Sequence, residues 1–392
     1  MKRLIIIIVT AAMQTMLHAQ GTISGVLQEI EENNTTLKAL REAATAQKLE
    51  NRTDILLPDP EIGFNYLWGS PSPIGNRTDI NVSQSFDIAT VSGLKGKVAD
   101  KKNEMIDWQY KADRMNLLLE AKQHCIDLIY YNALLKELYA RRTQAQAIEQ
   151  AQKKRLDSGD GNALEYNNVK LGLASVDGEI ARMEAERNGV LSQLTRLNGG
   201  KPVELTATEF ESVQLPTDFV SWYEAAEAKN PVLAYVRQEA ELGKKQLSLN
   251  KSMSLPSFSA GYMSEKTAGE HFQGITLGIS VPLWSNKNRV RQAKAAIEAA
   301  EVRREDARIQ FYGNLENLYH RVAGLKAAAD TYRSALQSAD NRPLLQKALD
   351  AGEISVIDYL VDTGFYYDAV SKALDAEREY AKAYAELCAV EL

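Results

Sequence analysis

Positions that recur along this chain fall into two seams of the same spacing. Leu118, Ala121, Cys125, Leu128, Asn132, Leu135 and Tyr139 step by three and four, and 197 positions on so do Leu315, Leu318, Val322, Leu325, Ala329, Tyr332 and Leu336. A three-four step keeps side chains on one helix face, so each seam predicts a long helix packed against a partner. Other landmarks recur in the same order: 34–37 with 230–233, Pro58 and Gly63 with Pro256 and Gly261, 82–86 with 279–283. The chain reads as a tandem duplication. Its period is too long for a solenoid, so each copy is half of a structure with its own strands and helices.

Each copy opens with a helical stretch and then changes period. Residues 22–56 put Ile23, Val26, Leu27 and Ile30 on one side and charge on the other, which predicts a helix that ends before Pro58 and Pro60. Strict alternation follows. Ile62, Phe64, Tyr66 and Trp68 share a face opposite Glu61, Gly63 and Asn65, and after a turn over 69–76 Ile80, Val82 and Phe86 alternate with Asn81, Ser83 and Ser85. Gln84 is the one polar residue on the apolar side. These runs predict a hairpin over 58–88. In the second copy Phe258, Ala260 and Tyr262, then Ile275, Leu277, Ile279, Val281 and Leu283, predict a matching hairpin over 256–284. One face is greasy and the other small and polar. Two hairpins are too few to cover each other as a soluble sheet, and strands of about ten residues have the length that crosses a bilayer when tilted.

The remainder is helical, polar and long. Residues 93–157 and 286–350 run about 65 residues each, roughly 97 Å at the helical rise, and pair with helices over 162–198 and 355–392. The breaks match: Leu156-Asp157-Ser158-Gly159 and Leu349-Asp350-Ala351-Gly352. There the offset is 193, so the second copy lacks four residues between seam and tip, the size of a coiled-coil stutter. Pro343 stands near this place without a counterpart at Gln150 and predicts a kink, a fresh helix start or a helix end. Residues 201–217 link the copies, with room for a short extra element.

Composition narrows the function classes. Residues 1–19 have a basic start, an apolar core shorter than a spanning helix and a small residue before Gln20, the form of a secretory signal peptide. Without Lys2 and Arg3, 44 basic residues face 52 acidic ones, a net of −8, which makes nucleic acid an unsuitable partner. Cys125 and Cys388 each sit within helical pattern, Cys125 as a small core residue, and the histidines outside the leader are not clustered, so neither metal site nor cofactor is expected. No phosphate-cradling glycine run, His-Glu-x-x-His or Gly-x-Ser-x-Gly elbow is present, so no catalytic residues are expected and the chain does not read as an enzyme.

A greasy strand face in lipid requires a closed barrel, because an open edge leaves backbone groups unpaired at several kcal/mol each. Four strands cannot close one, so several chains must share it. The order of helix, Pro-led hairpin, long helix, Gly-containing tip and helix, repeated once, resembles the TolC-type outer-membrane efflux family over essentially the whole mature chain. Leu57-Pro58-Asp59-Pro60, Asn230-Pro231-Val232-Leu233, Val281-Pro282-Leu283-Trp284 and Gly352-Glu353-Ile354-Ser355 carry the likeness.

The resemblance implies a mainly α fold with a small β part, made of duplicated half-repeats. Long antiparallel helical hairpins form an α-barrel, and two transmembrane β-hairpins per chain contribute to a trimeric 12-stranded β-barrel. The repeats are expected over 20–200 and 218–392, joined by the 201–217 linker. A homotrimer is implied in the bacterial outer membrane, with a periplasmic helical tunnel and a periplasmic adaptor and inner-membrane pump as partners. The function implied is a passive exit duct for small molecules, cations or secreted protein. Phe64, Tyr66, Trp68, Ile275, Leu277 and Ile279 would face lipid, and Gly159, Asp160, Gly352 and Glu353 would form adaptor-docking tips. Asp358 and Asp362 would form the periplasmic gate, although their spacing of four departs from the family's three. The alternative is a non-conducting periplasmic coiled-coil scaffold, which leaves the greasy strand faces unexplained.

Overall fold

The computed structural model describes residues 21–392 apart from Ser285, so the expected signal peptide lies outside the described residues. In chain order the elements are α1 (Ile23–Asn33), α2 (Thr35–Glu50), β1 (Glu61–Leu67), β2 (Arg77–Phe86), α3 (Ile88–Val91), α4 (Leu94–Asp157) and α5 (Ala163–Leu197). Then follow α6 (Phe219–Lys229), α7 (Pro231–Ser252), β3 (Ser257–Lys266), β4 (His271–Ser280), α8 (Arg289–Ser338), α9 (Arg342–Asp350) and α10 (Val356–Leu387). The fold is mainly helical with one small antiparallel sheet, as the sequence pattern implies. Contacts divide the chain into two compact units that each draw on both halves: one comprises the chain up to Lys38 with 113–229 and 312–392, the other 39–112 and 230–311.

The second unit carries the sheet. Both hairpins form, and β2 also pairs antiparallel with β3, so the order is β1-β2-β3-β4 with β1 and β4 at free edges. Asp87 stops β2 by capping α3, its carboxylate accepting from the Thr90 amide at 2.7 Å. Burial works against ionisation there, yet the Thr90 hydroxyl and amide with Lys95 hold its carboxyl below the usual aspartate range. Ala89, Val98 and Leu249 form a small apolar cluster beside it.

The first unit holds the main core. Ile23, Val26 and Ile30 of α1 meet Ala121, Cys125 and Leu128 of α4, Leu194 and Leu197 of α5 and Ala385 of α10. Cys125 is therefore the small core residue its seam predicts, and burial pushes its thiol up to about 12. In the second seam Leu315, Val322 and Ala329 are buried at heptad spacing.

Two expectations are revised. The helix read over 22–56 breaks at Asn34 and ends at Glu50, because buried Asn34 starts α2 anew: its Oδ1 accepts from the Leu37 amide at 2.8 Å and its Nδ2 donates to the Leu197 carbonyl at 2.7 Å. Asn230 caps α7 in the same way, accepting from Val232 and Leu233, which explains why 34–37 and 230–233 match. The second long helix begins at Arg289 and stops at Ser338, and α9 starts at Arg342 with Pro343 in its first turn, where proline costs no hydrogen bond. Of the outcomes open at Pro343, a fresh helix start is the one adopted.

The linker 201–217 adds no helix or strand. It is a strap whose carbonyls are held by side chains. Asn132 donates to Leu205 and Ala207, Tyr380 to Val213, Tyr384 to Gln214 and Tyr319 to Pro216. Val203 and Leu205 enter the core. A polar residue in an otherwise apolar seam, Asn132 is thus the strap's anchor.

Candidate functional site

The sheet separates two chemistries. Register places Ile62, Phe64 and Tyr66 of β1 beside Val82, Ile80 and Thr78 of β2, then Tyr262 and Phe258 of β3 beside Ile275 and Ile279 of β4, all on one face. That face is bare: Ile275 is 82% exposed, Leu277 83% and Phe64 65%. Trp68 continues the row just beyond β1, edge-on to Tyr66 with ring centroids 5.6 Å apart. All six residues expected to meet lipid therefore lie on or directly beside this face and are exposed.

The opposite face is small and polar, and glycine is required there. A Cβ at Gly63 would lie 2.0 Å from Asn81 Oδ1, one at Gly278 would lie 2.4 Å from Ser259 Oγ, and one at Gly261 would meet the Val82 carbonyl at 2.4 Å. The polar side chains lean across their glycine neighbours, lining this face with amide and hydroxyl groups. A contiguous apolar face of this extent is not left exposed to water by a soluble monomer.

The helix tips repeat each other atom for atom in their backbone bonds. Gly159 N–H donates to Leu156 O and Asp160 N–H to Arg155 O; Gly352 N–H donates to Leu349 O and Glu353 N–H to Ala348 O. Both glycines take positive φ, +84° and +74°, which closes the helix ends in the left-handed form that glycine favours. Asp160 and Glu353 are exposed beside them.

Asp358 and Asp362 are exposed one turn apart on α10. Asp358 has a local partner that the spacing argument overlooked: its carboxylate accepts from the Ser355 amide at 3.3 Å and hydroxyl at 2.7 Å, while its own amide donates to Ser355 Oγ at 3.1 Å. Asp362 lies in a groove with Ala339, Arg342, Leu345, Phe365 and Tyr366 at the α8–α9 break.

Two groupings near the tips had no sequence signal. Arg342 forks onto Asp340 at 2.9 and 2.8 Å, and its guanidinium lies 3.8 Å from the centre of the Tyr366 ring. Gln144 of α4 donates to the buried Tyr359 hydroxyl and accepts from Tyr367 at 2.9 Å, tying α4 to α10. The Arg342–Tyr366 and Gln144–Tyr359 contacts depend on separate helices meeting, so no local pattern announces them.

Among the described residues, no group of three His, Cys, Asp or Glu side chains is placed to hold a metal, and no helix is long and apolar enough to cross a membrane.

Residues 222–390 match the outer membrane efflux protein family. A curated relative, the alkaline protease secretion protein AprF of Pseudomonas aeruginosa, is 26% identical over 220 residues, 51% of this chain and 46% of the relative. This chain thus spans about half the length of the curated relative it matches. Among solved structures it is similar to the CmeC outer membrane channel of Campylobacter jejuni, with TM-score 0.76, 16% identity and coverage of 94% of this chain and 85% of that one. It is also similar to the outer membrane protein VceC of Vibrio cholerae, with TM-score 0.72, 14% identity and coverage of 94% and 95%. At these identities the likeness is one of fold, and the helix-and-hairpin architecture is shared with these two proteins over most of both chains.

Proposed function

We propose that this chain is the outer-membrane exit duct of an efflux or type I secretion system, conducting solute passively. The observation that carries the reading is the bare apolar face of a four-stranded sheet whose β1 and β4 edges are free. In hydrocarbon each unpaired edge group costs several kcal/mol, so the edges must join those of other copies. Three copies give twelve strands, an even number within the range of outer-membrane barrels. Strands of ten residues rise roughly 33 Å and, tilted by about 45°, match an apolar band about 25 Å tall. The glycine-lined polar face then borders water in the lumen.

The 64-residue α4 and its partners form the periplasmic tunnel in this reading. Asp358 and Asp362 ring its inner end as the gate, and the tips at Gly159, Asp160, Gly352 and Glu353 receive a periplasmic adaptor that is itself engaged by an inner-membrane pump. AprF is named for the secretion of a protease and CmeC for an outer membrane channel, which supports an export role without choosing the cargo. A non-conducting scaffold has no use for the exposed sheet face.

Liposomes loaded with a small dye test this reading. Wild-type protein should release the dye, and Leu277→Arg, which places a charge on the lipid face, should not. Retention of dye by liposomes that have taken up wild-type protein contradicts a duct.

A further inference from the structure

The polar face of the sheet is not uniform along its length. Its rows run Ser85, Ser259 and Gly278, then Glu61, Ser83, Gly261 and Thr276, then Gly63, Asn81, Met263 and Gly274, and at the turn end Asn65, Asp79, Glu265 and Phe272. Glu61 is the single charge of the earlier rows, on the edge strand, whereas the last row sets two carboxylates side by side. Asp79 and Glu265 are direct cross-strand neighbours on the two central strands. Like charges placed so repel, and Arg77 stands between them, its Nε 2.7 Å from Asp79 Oδ1 and its Nη2 3.0 Å from Glu265 Oε2. Asp79 is only 6% exposed and anchors the cluster in the sheet, while Arg77 and Glu265 remain partly open to solvent.

We infer that Arg77, Asp79 and Glu265 form an electrostatic filter inside the mouth of the lumen at the hairpin-turn end, separate from the acidic residues of the helix tips. The inference rests on the exit-duct reading, which turns this face inward. Two carboxylates against one guanidinium leave one negative charge per chain, repeated around the barrel by each copy. Such a ring favours cationic solutes and holds back polyvalent anions. Arg77 sets the strength of the filter, because it both neutralises one carboxylate and keeps the pair from repelling.

The test is the reversal potential of the full-length protein in a planar bilayer under a KCl gradient. Glu265→Gln keeps an acceptor for Arg77 and should lower the K⁺ over Cl⁻ permeability ratio about twofold or more, whereas Arg77→Gln should raise it by a similar factor. Opposite shifts cannot come from loosened folding. Channels of normal conductance with an unchanged ratio in Glu265→Gln overturn the filter and leave the duct standing. Absence of current from wild-type protein overturns the duct and the filter with it.

Discussion

Ser355 and Asp358 cap each other at the start of α10, each accepting the other's backbone N–H. The proposed gate aspartate thus also holds its own helix start, so truncating it does two things at once. Asp358→Ala should cost α10 about 1 kcal/mol of stability and remove the charge. Asp358→Asn removes the charge while keeping an acceptor for Ser355. If the charge gates the tunnel, single-channel opening should rise in both variants; a rise confined to Asp358→Ala assigns the effect to the lost cap.

The sheet's two faces make a paired prediction. Leu277→Arg on the apolar face should cost about 2–4 kcal/mol near the bilayer midplane and cut insertion into lipid vesicles. Thr276→Arg, one residue away on the polar face, should insert normally and lower conductance. Equal insertion of the two contradicts the assignment of faces.

Asn34 is buried with both ends of its amide used. Asn34→Ala removes the α2 cap and leaves the Leu197 carbonyl unpaired, a loss of about 1–3 kcal/mol that should appear as a lowered Tm by circular dichroism. An unchanged Tm would deny the cap its role.

Glu377, with 14% of its side chain exposed, faces Arg333 at 2.6 Å. Burial raises its carboxyl above the ordinary value of 4.5, and Arg333 offsets that only in part. A raised acid contributes stability that is full below 4.5 and lost as pH rises through the elevated folded value. Glu377→Gln should therefore raise Tm at neutral pH, with the gain shrinking as pH falls to 4.5 and below. A gain that grows on acidification contradicts that sign.

The local periods were legible. Alternation around Phe64 and Ile275 marks the strands and their greasy face, and the three-four steps at Cys125 and Val322 mark the helices, because burial repeats at every turn or every second residue. The pairing of Val82 with Tyr262 was not legible, since it joins strands far apart in sequence through backbone bonds that leave no residue signature. Ser355-Val356-Ile357-Asp358 is a readable capping signature that the gate argument overlooked. Asn132 was read as one more seam position because its partners, the carbonyls of the strap, belong to a stretch without periodicity.

The most direct measurement of the central claim is single-channel current from purified full-length protein in a planar bilayer, wild type beside Asp358→Asn. The account predicts discrete, cation-favouring openings that become more frequent in the variant. A protein that extracts without detergent and carries no current in either form would contradict it.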